Sequence, residues 1–150
     1  MKIEKHDKLD IADEMLDSAI TAFVEHKRFF VALNLAAVAE ELYGKYVRIC
    51  GLKDSRQENI EAATKLVESE GVTAVTVRDW KKIANKYKND IKHFDSDADR
   101  YVTIDIEDEA RLAVAEALSN HDKLNRKTSP EIERFSEWAR EYASQSLGMS

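Results

Sequence analysis

The residues best suited to chemistry lie in the stretch KNDIKHFDSD, positions 88–97. Asn89 and His93 stand four residues apart, Lys88 and Lys92 flank them, and Lys82 and Lys86 precede them at helical spacing. Histidine exchanges a proton near neutral pH, asparagine both donates and accepts hydrogen bonds, and lysine carries a positive charge. That combination suits an anionic ligand. From Arg78 to His93 six basic residues face two acids, a local charge of +4. The whole chain carries −6, so the remainder carries −10. The total argues against general nucleic-acid binding. A basic segment of helical length on an acidic protein can form a local anion-attracting surface. It can equally pair with the protein's own acids.

A helical wheel places Trp80, Ile83, Ala84, Tyr87, Ile91 and Phe94 in one stripe, which must face a core. Asn89 falls opposite, flanked by Asn85 and His93, with Lys88 and Lys92 at one edge. His93 therefore points away from the chain's own core. On most helices such a cluster is simply a solvated face.

A second polar stripe runs along the apolar segment FFVALNLAAVAEELYGKYVRIC, where Asn34, Glu41, Lys45 and Arg48 align. Glu41 and Lys45 form an i,i+4 ion pair in the favourable order. Glu40 sits beside Ala36, Ala37 and Gly44, whose small size would let another helix approach. In a central helix these charges must reach solvent or be fully paired, because an unpaired buried charge is too costly. A paired polar seam is the favoured reading.

The elements that must position these residues are helices. The 150 residues include one proline and four glycines, and 35% are charged, a mixture that favours long amphipathic helices. Leu9, Ala12, Met15, Leu16, Ala19, Ile20, Phe23 and Val24 predict a first helix over 7–25. The apolar segment is a second, central helix over 29–50, with Gly51 at its C-terminal cap. Ser55 and Glu58 match a capping box that opens a third helix through Glu70, with Ile60, Ala63, Leu66 and Val67 facing inward. Thr76 with Asp79 can cap a fourth helix that runs to about Phe94. Asp105 caps a fifth, which places acids in its first turn. LNRKTSP reads as a linker, and Ser129 with Pro130 starts a sixth helix that packs through Ile132, Phe135, Trp138 or Ala139, and Tyr142. The β-branched stretches 72–77 and 100–105 could pair as a very short ribbon. The expected architecture is an all-α antiparallel bundle of five to six helices in one domain, 1–150.

Several functions are excluded. The charged N-terminus does not read as a secretion signal. The longest apolar run, Phe29 to Ala39, falls short of the roughly 20 residues that span a membrane. A soluble cytoplasmic protein without membrane contact is expected. The single Cys50 forms no internal disulfide and reads as a small buried apolar residue on a helix. Asp95, Asp97 and Asp99 imitate the start of a calcium loop, but Arg100 replaces its glycine and Ile106 its final glutamate. His6, His26 and His121 have no ligand spacing, so no metal site is expected.

AAVAEELYGKYV, followed some forty residues later by NKYKNDIKHF, resembles the HEPN domains (higher eukaryotes and prokaryotes nucleotide-binding). The resemblance covers about residues 8–122 and leaves the helix near 130–147 as an addition. The family's motif is an arginine, often followed by a polar residue such as asparagine, then a histidine a few positions on; here it falls on Lys88, Asn89 and His93. The resemblance implies a homodimer whose two motifs meet in a cleft at the interface. In the ribonucleases of the family this cleft cuts RNA without metal or cofactor: a base removes the 2′-hydroxyl proton, the oxygen attacks the adjacent phosphorus, and an acid protonates the leaving oxygen. Lys82, Lys86 and Lys92 would offset charge on the phosphoryl oxygens. The chain departs from the motif at Lys88, since lysine lacks the planar fork of arginine, and this argues against strong activity. Family members that do not cleave RNA bind nucleotides or partner proteins, such as nucleotidyltransferase-like or defence proteins. The resemblance therefore implies either an RNA- or nucleotide-binding dimer with metal-independent endoribonuclease activity, or a non-catalytic interaction module.

Overall fold

The computed structural model describes residues 1–71, 82, 86–87 and 89–148. Its described residues form five α-helices: α1 Lys8–Val24, α2 Phe29–Ile49, α3 Ser55–Ser69, α4 Ile106–Lys123 and α5 Pro130–Ser146. Lys82, Lys86, Tyr87, Asn89 and Asp90 are also helical, within the fourth helix expected from the sequence. No strand occurs among the described residues, and the chain is an all-α bundle. The stretch 72–77, one half of the expected ribbon, lies outside the described residues, as do Thr76, Asp79 and Lys88.

The other half is not a strand. Asp97–Arg100 is a short 3-10 helix. The Asp99 carboxylate accepts the backbone N–H of Asp95 at 3.1 Å and of Ser96 at 3.0 Å. Aspartate's short side chain satisfies these donors at the turn that enters the 3-10 helix, and residues 101–105 beyond it have no regular secondary structure.

Helix ends follow their capping chemistry. Asp7, Asp105 and Ser129 cap α1, α4 and α5 by accepting the N–H of Leu9, Asp108 and Ile132. At α3 the cap is Asp54 instead of the expected Ser55: its carboxylate accepts the Gln57 N–H at 2.8 Å and is ion-paired with Arg48. Ser55 is thereby turned inward, where its N–H and hydroxyl both bond to Asn120 Oδ1. Gly51 follows α2 with φ +78°, and Leu52 N–H reaches back to Val47 C=O, as a left-handed helix stop requires.

The core is built on small residues. Ala12, Ala19, Ala32, Ala36, Ala39, Ala110, Ala113 and Ala117 are all buried where α1, α2 and α4 meet, so the helices approach closely. Larger side chains, Leu16, Ile20, Phe23, Tyr43 and Val114, fill the remaining space. The turn at 25–28 sets α1 and α2 antiparallel. α5 docks on α1: Phe23 meets Phe29, Phe135 and Trp138 edge-on, with centroids 5.2, 5.9 and 4.7 Å apart. The linker read into LNRKTSP is a packed joint, because Arg126 grips Asp13 and Asp10 of α1.

Three inward expectations fail. Cys50, at the C-terminal cap of α2, is exposed. Leu66 near the end of α3 is 64% exposed, and Phe94 is 69% exposed. The chain turns after Asp90, with the N–H groups of Lys92 and His93 both on Asn89 C=O. Phe94 therefore leaves the stripe that a continued helix would have held, whereas Ile91 stays packed on the core.

Candidate functional site

The polar stripe of α2 lines one cleft of about 640 Å3. Asn34, Glu40, Glu41, Lys45 and Arg48 all contribute to it, and so do Asn89 and Lys92 from the basic segment. The two features singled out in the sequence thus share one cleft. Met15, Leu35 and Val38 form its apolar floor and walls.

Most charges of the seam are paired. Lys45 Nζ donates to Glu41 Oε1 at 2.6 Å, one helical turn away. Glu40 is buried, and its Oε2 accepts from Arg56 Nη2 at 2.9 Å. Arg48 pairs with the buried Asp54 carboxylate at the start of α3. Asn34 returns its amide to Phe30 C=O at 2.8 Å, a back-bond along its own helix. The seam therefore ties α3 onto α2 at Glu40 and Arg48, and its Glu41–Lys45 pair stays on the surface. Arg56 also lines the cleft. Sequence reasoning missed it, because Arg56 lies sixteen positions beyond Glu40 in another helix and no spacing rule connects them.

Lys82, Lys86, Asn89 and Lys92 are exposed, and Lys86 Nζ stands 5.7 Å from the Tyr87 ring centroid. His93 follows the last helical residues, its side chain 68% exposed, with Nδ1 3.6 Å from Asp95 Oδ2. Asn89 and Lys92 enter the cleft and His93 stands at the end of the same turn, outside the residues that line it. Lys88 is outside the described residues.

A second polar cluster lies on the other side of α2. Tyr43 Oη donates to Asp13 Oδ1 at 2.6 Å, and Arg126 holds the same carboxylate through Nε at 2.9 Å and Nη2 at 2.6 Å. Burial acts to raise the Asp13 pKa, but the Arg126 and Tyr43 hydrogen bonds outweigh it and hold the carboxyl below the usual 3.8. Burial and the bond to Asp13 push the Tyr43 phenol up, so it stays protonated. The bond to Asp13 likewise raises Arg126.

A depressed carboxyl stabilises the fold above its unfolded value, and that contribution disappears as pH falls through its folded value. Asp13→Asn is therefore expected to cost about 1 kcal/mol at neutral pH, the low end for a charge-assisted network that is partly exposed. The gap to wild type narrows below pH 3.8. Urea unfolding at pH 7 and pH 3 checks it, and a gap that widens on acidification contradicts the assignment.

None of the residues in this cluster was singled out for chemistry by the sequence. Asp13 and Arg126 are 113 positions apart, and only the docking of the α4–α5 joint brings them together. Among the described residues, no group of three His, Cys, Asp or Glu side chains is arranged to hold a metal ion, and no helix is long and apolar enough to cross a membrane. Comparison with known protein families, with curated proteins and with solved structures finds no match to this chain.

Proposed function

We propose that the protein is a HEPN-like homodimer that binds RNA or nucleotide phosphates through the basic face carrying Lys82, Lys86, Asn89 and Lys92. The observation that carries this reading is the shared cleft: Asn89 and Lys92 line it together with Lys45, Arg48 and Arg56. Lys92 leads the electrostatic contact, since the three α2 and α3 cations already face Glu41, Asp54 and Glu40. A phosphate then meets cations along one wall and the Asn89 amide beside them. His93 at the rim acts as the acid–base group: one imidazole takes the 2′-hydroxyl proton, the oxygen attacks phosphorus, and a protonated imidazole from the second copy supplies the leaving oxygen's proton. Lys88 replaces the arginine fork of the family motif, so binding is the principal activity and cleavage is slow.

The test is cleavage and binding of an end-labelled single-stranded RNA with EDTA present, using wild type and His93→Ala in parallel. Salt-sensitive binding by both proteins, with slow cleavage by wild type alone, supports the proposal. Absence of binding even at low salt removes it.

One observation favours a second reading, a non-catalytic interaction module such as the partner of a nucleotidyltransferase-like or defence protein. The outward face of α2 exposes Phe30, Val31, Val38 and Ile49 beside seam charges that are already paired. Apolar side chains among balanced charges suit a protein surface better than a polyanion. This reading expects negligible RNA affinity and a His93→Ala variant that behaves as wild type.

A further inference from the structure

A cavity of about 690 Å3 lies between the segment that enters α1 and the C-terminal half of α2. Its volume falls within the range of small-molecule sites, roughly 300–1,000 Å3. α1 and α2 are antiparallel, so the start of one lies beside the end of the other. Lys5, Lys8 and Leu9 thereby face the same cavity as Leu42, Tyr46 and Ile49.

The α2 wall is an apolar strip. Leu42, Tyr46 and Ile49 stand at i, i+4 and i+7, one stripe of the helix. At the rise of a helix the stripe runs for roughly 10 Å. Leu9 and Leu42 are half-buried and pack on the core, which fixes the deep part of the wall. Tyr46 is 43% exposed and Ile49 76% exposed, so apolar surface remains for a ligand to cover. Covering it with an alkyl chain releases water and is favourable.

The charges decide which head group accompanies that chain. Lys45 is matched by Glu41, and Glu4, just outside the cavity, is matched by Lys2. Lys5 and Lys8 have no hydrogen bond or ion pair among the described residues. Asp7 is the one acid in the lining, and its Oδ1 accepts the Leu9 N–H at 2.8 Å as the cap of α1. Two lysines against this aspartate leave a charge of +1, which a single carboxylate neutralises. The two lysines suffice without His6, whose Nε2 lies 3.9 Å from Glu4 Oε2. The Tyr46 hydroxyl is also without a partner among the described residues and can donate to the same anion.

We infer that this cavity binds a medium-chain aliphatic carboxylate, its chain along Leu42, Tyr46 and Ile49 and its head group held by Lys5 and Lys8. A polyanion would gain nothing from the apolar strip, and an alkylammonium would meet the lysines with like charge. None of Lys82, Lys86, Asn89, Lys92 and His93 lines this cavity, so carboxylate binding is independent of RNA binding.

The experiment titrates sodium octanoate, below its micelle-forming concentration, into the full chain and follows backbone amides by NMR. Octylammonium chloride supplies the same chain with the opposite charge, and sodium acetate supplies the charge without the chain. Saturable shifts at Lys5, Leu9, Leu42, Tyr46 and Ile49 are expected with octanoate alone. The double variant Lys5→Gln, Lys8→Gln weakens binding roughly five-fold, as expected for two exposed charge contacts. Ile49→Ser weakens it by about the same factor through lost apolar contact. All three side chains are exposed, so both variants keep the fold. Equal shifts with octylammonium or acetate, shifts centred instead on the exposed Phe30 and Val38, or unchanged affinity in either variant overturn the inference. So does binding confined to vesicles of anionic phospholipid, with no saturable shift from octanoate.

Discussion

Phe23→Ala is expected to destabilise the protein by about 3–5 kcal/mol, within the range for removing a fully buried phenylalanine. Phe23 is completely buried and meets three aromatic rings, one from the start of α2 and two from α5. The lost side chain removes transfer free energy and leaves a cavity that Phe29, Phe135 and Trp138 cannot all collapse into. A loss of that size in a chain of this length lowers the melting temperature by about 10 °C or more. The variant also loosens α5, whose stacked series Phe135, Trp138 and Tyr142 is anchored on the α1–α2 corner through Phe23. Thermal unfolding followed by circular dichroism measures the total. A loss within about 0.5 kcal/mol, the ordinary range of surface substitutions, would mean that α5 does not dock on α1 in solution.

The second large effect concerns the proposed anion-binding face. Replacing Lys82, Lys86 and Lys92 together with alanine is expected to weaken single-stranded RNA binding roughly 50-fold at about 0.15 M salt. The slope of log affinity against log salt falls by about 2, since each phosphate contact on a single strand contributes about 0.7. All three side chains are exposed, so stability stays within about 0.5 kcal/mol of wild type. Filter binding at several salt concentrations reads both numbers. A variant that binds RNA with the wild-type slope would show that these lysines do not touch phosphate, and would favour the protein-interaction reading of the α2 face.

Helix positions were largely legible in the sequence because they depend on local patterns. Apolar residues at turns of 3.6 mark the faces of α1, α2 and α4, and Asp105, Ser129 with Pro130, and Gly51 mark the starts of α4 and α5 and the end of α2. Where two cap residues stood side by side, pattern alone chose wrongly. Ser55 and Glu58 match the capping-box pattern, yet Asp54 takes the cap: Arg48 pairs with its carboxylate and Asn120 holds Ser55 inward. Phe94 likewise fits the wheel of an unbroken helix, and the turn after Asp90 moves it into solvent. The α2 seam was legible as a stripe, and its one buried charge, Glu40, is paired as burial requires. Their partners Arg56 and Asp54 were not legible, because α3 returns along α2 at a position that no spacing in the sequence encodes.

The sequence by itself therefore determined an all-helical chain, the faces its helices bury, and a basic segment set against an acidic remainder. These are properties of residues within a few turns of one another, governed by helical periodicity and charge. The tertiary structure alone decided that Asn89 and Lys92 share a cleft with the α2 seam. It alone placed Arg126 on Asp13, and it alone enclosed His121 beside Asp17. Such meetings join residues from separate helices, and they follow from how closely alanine-lined surfaces let α1, α2 and α4 approach. Packing sets that approach, and local sequence rules do not contain it.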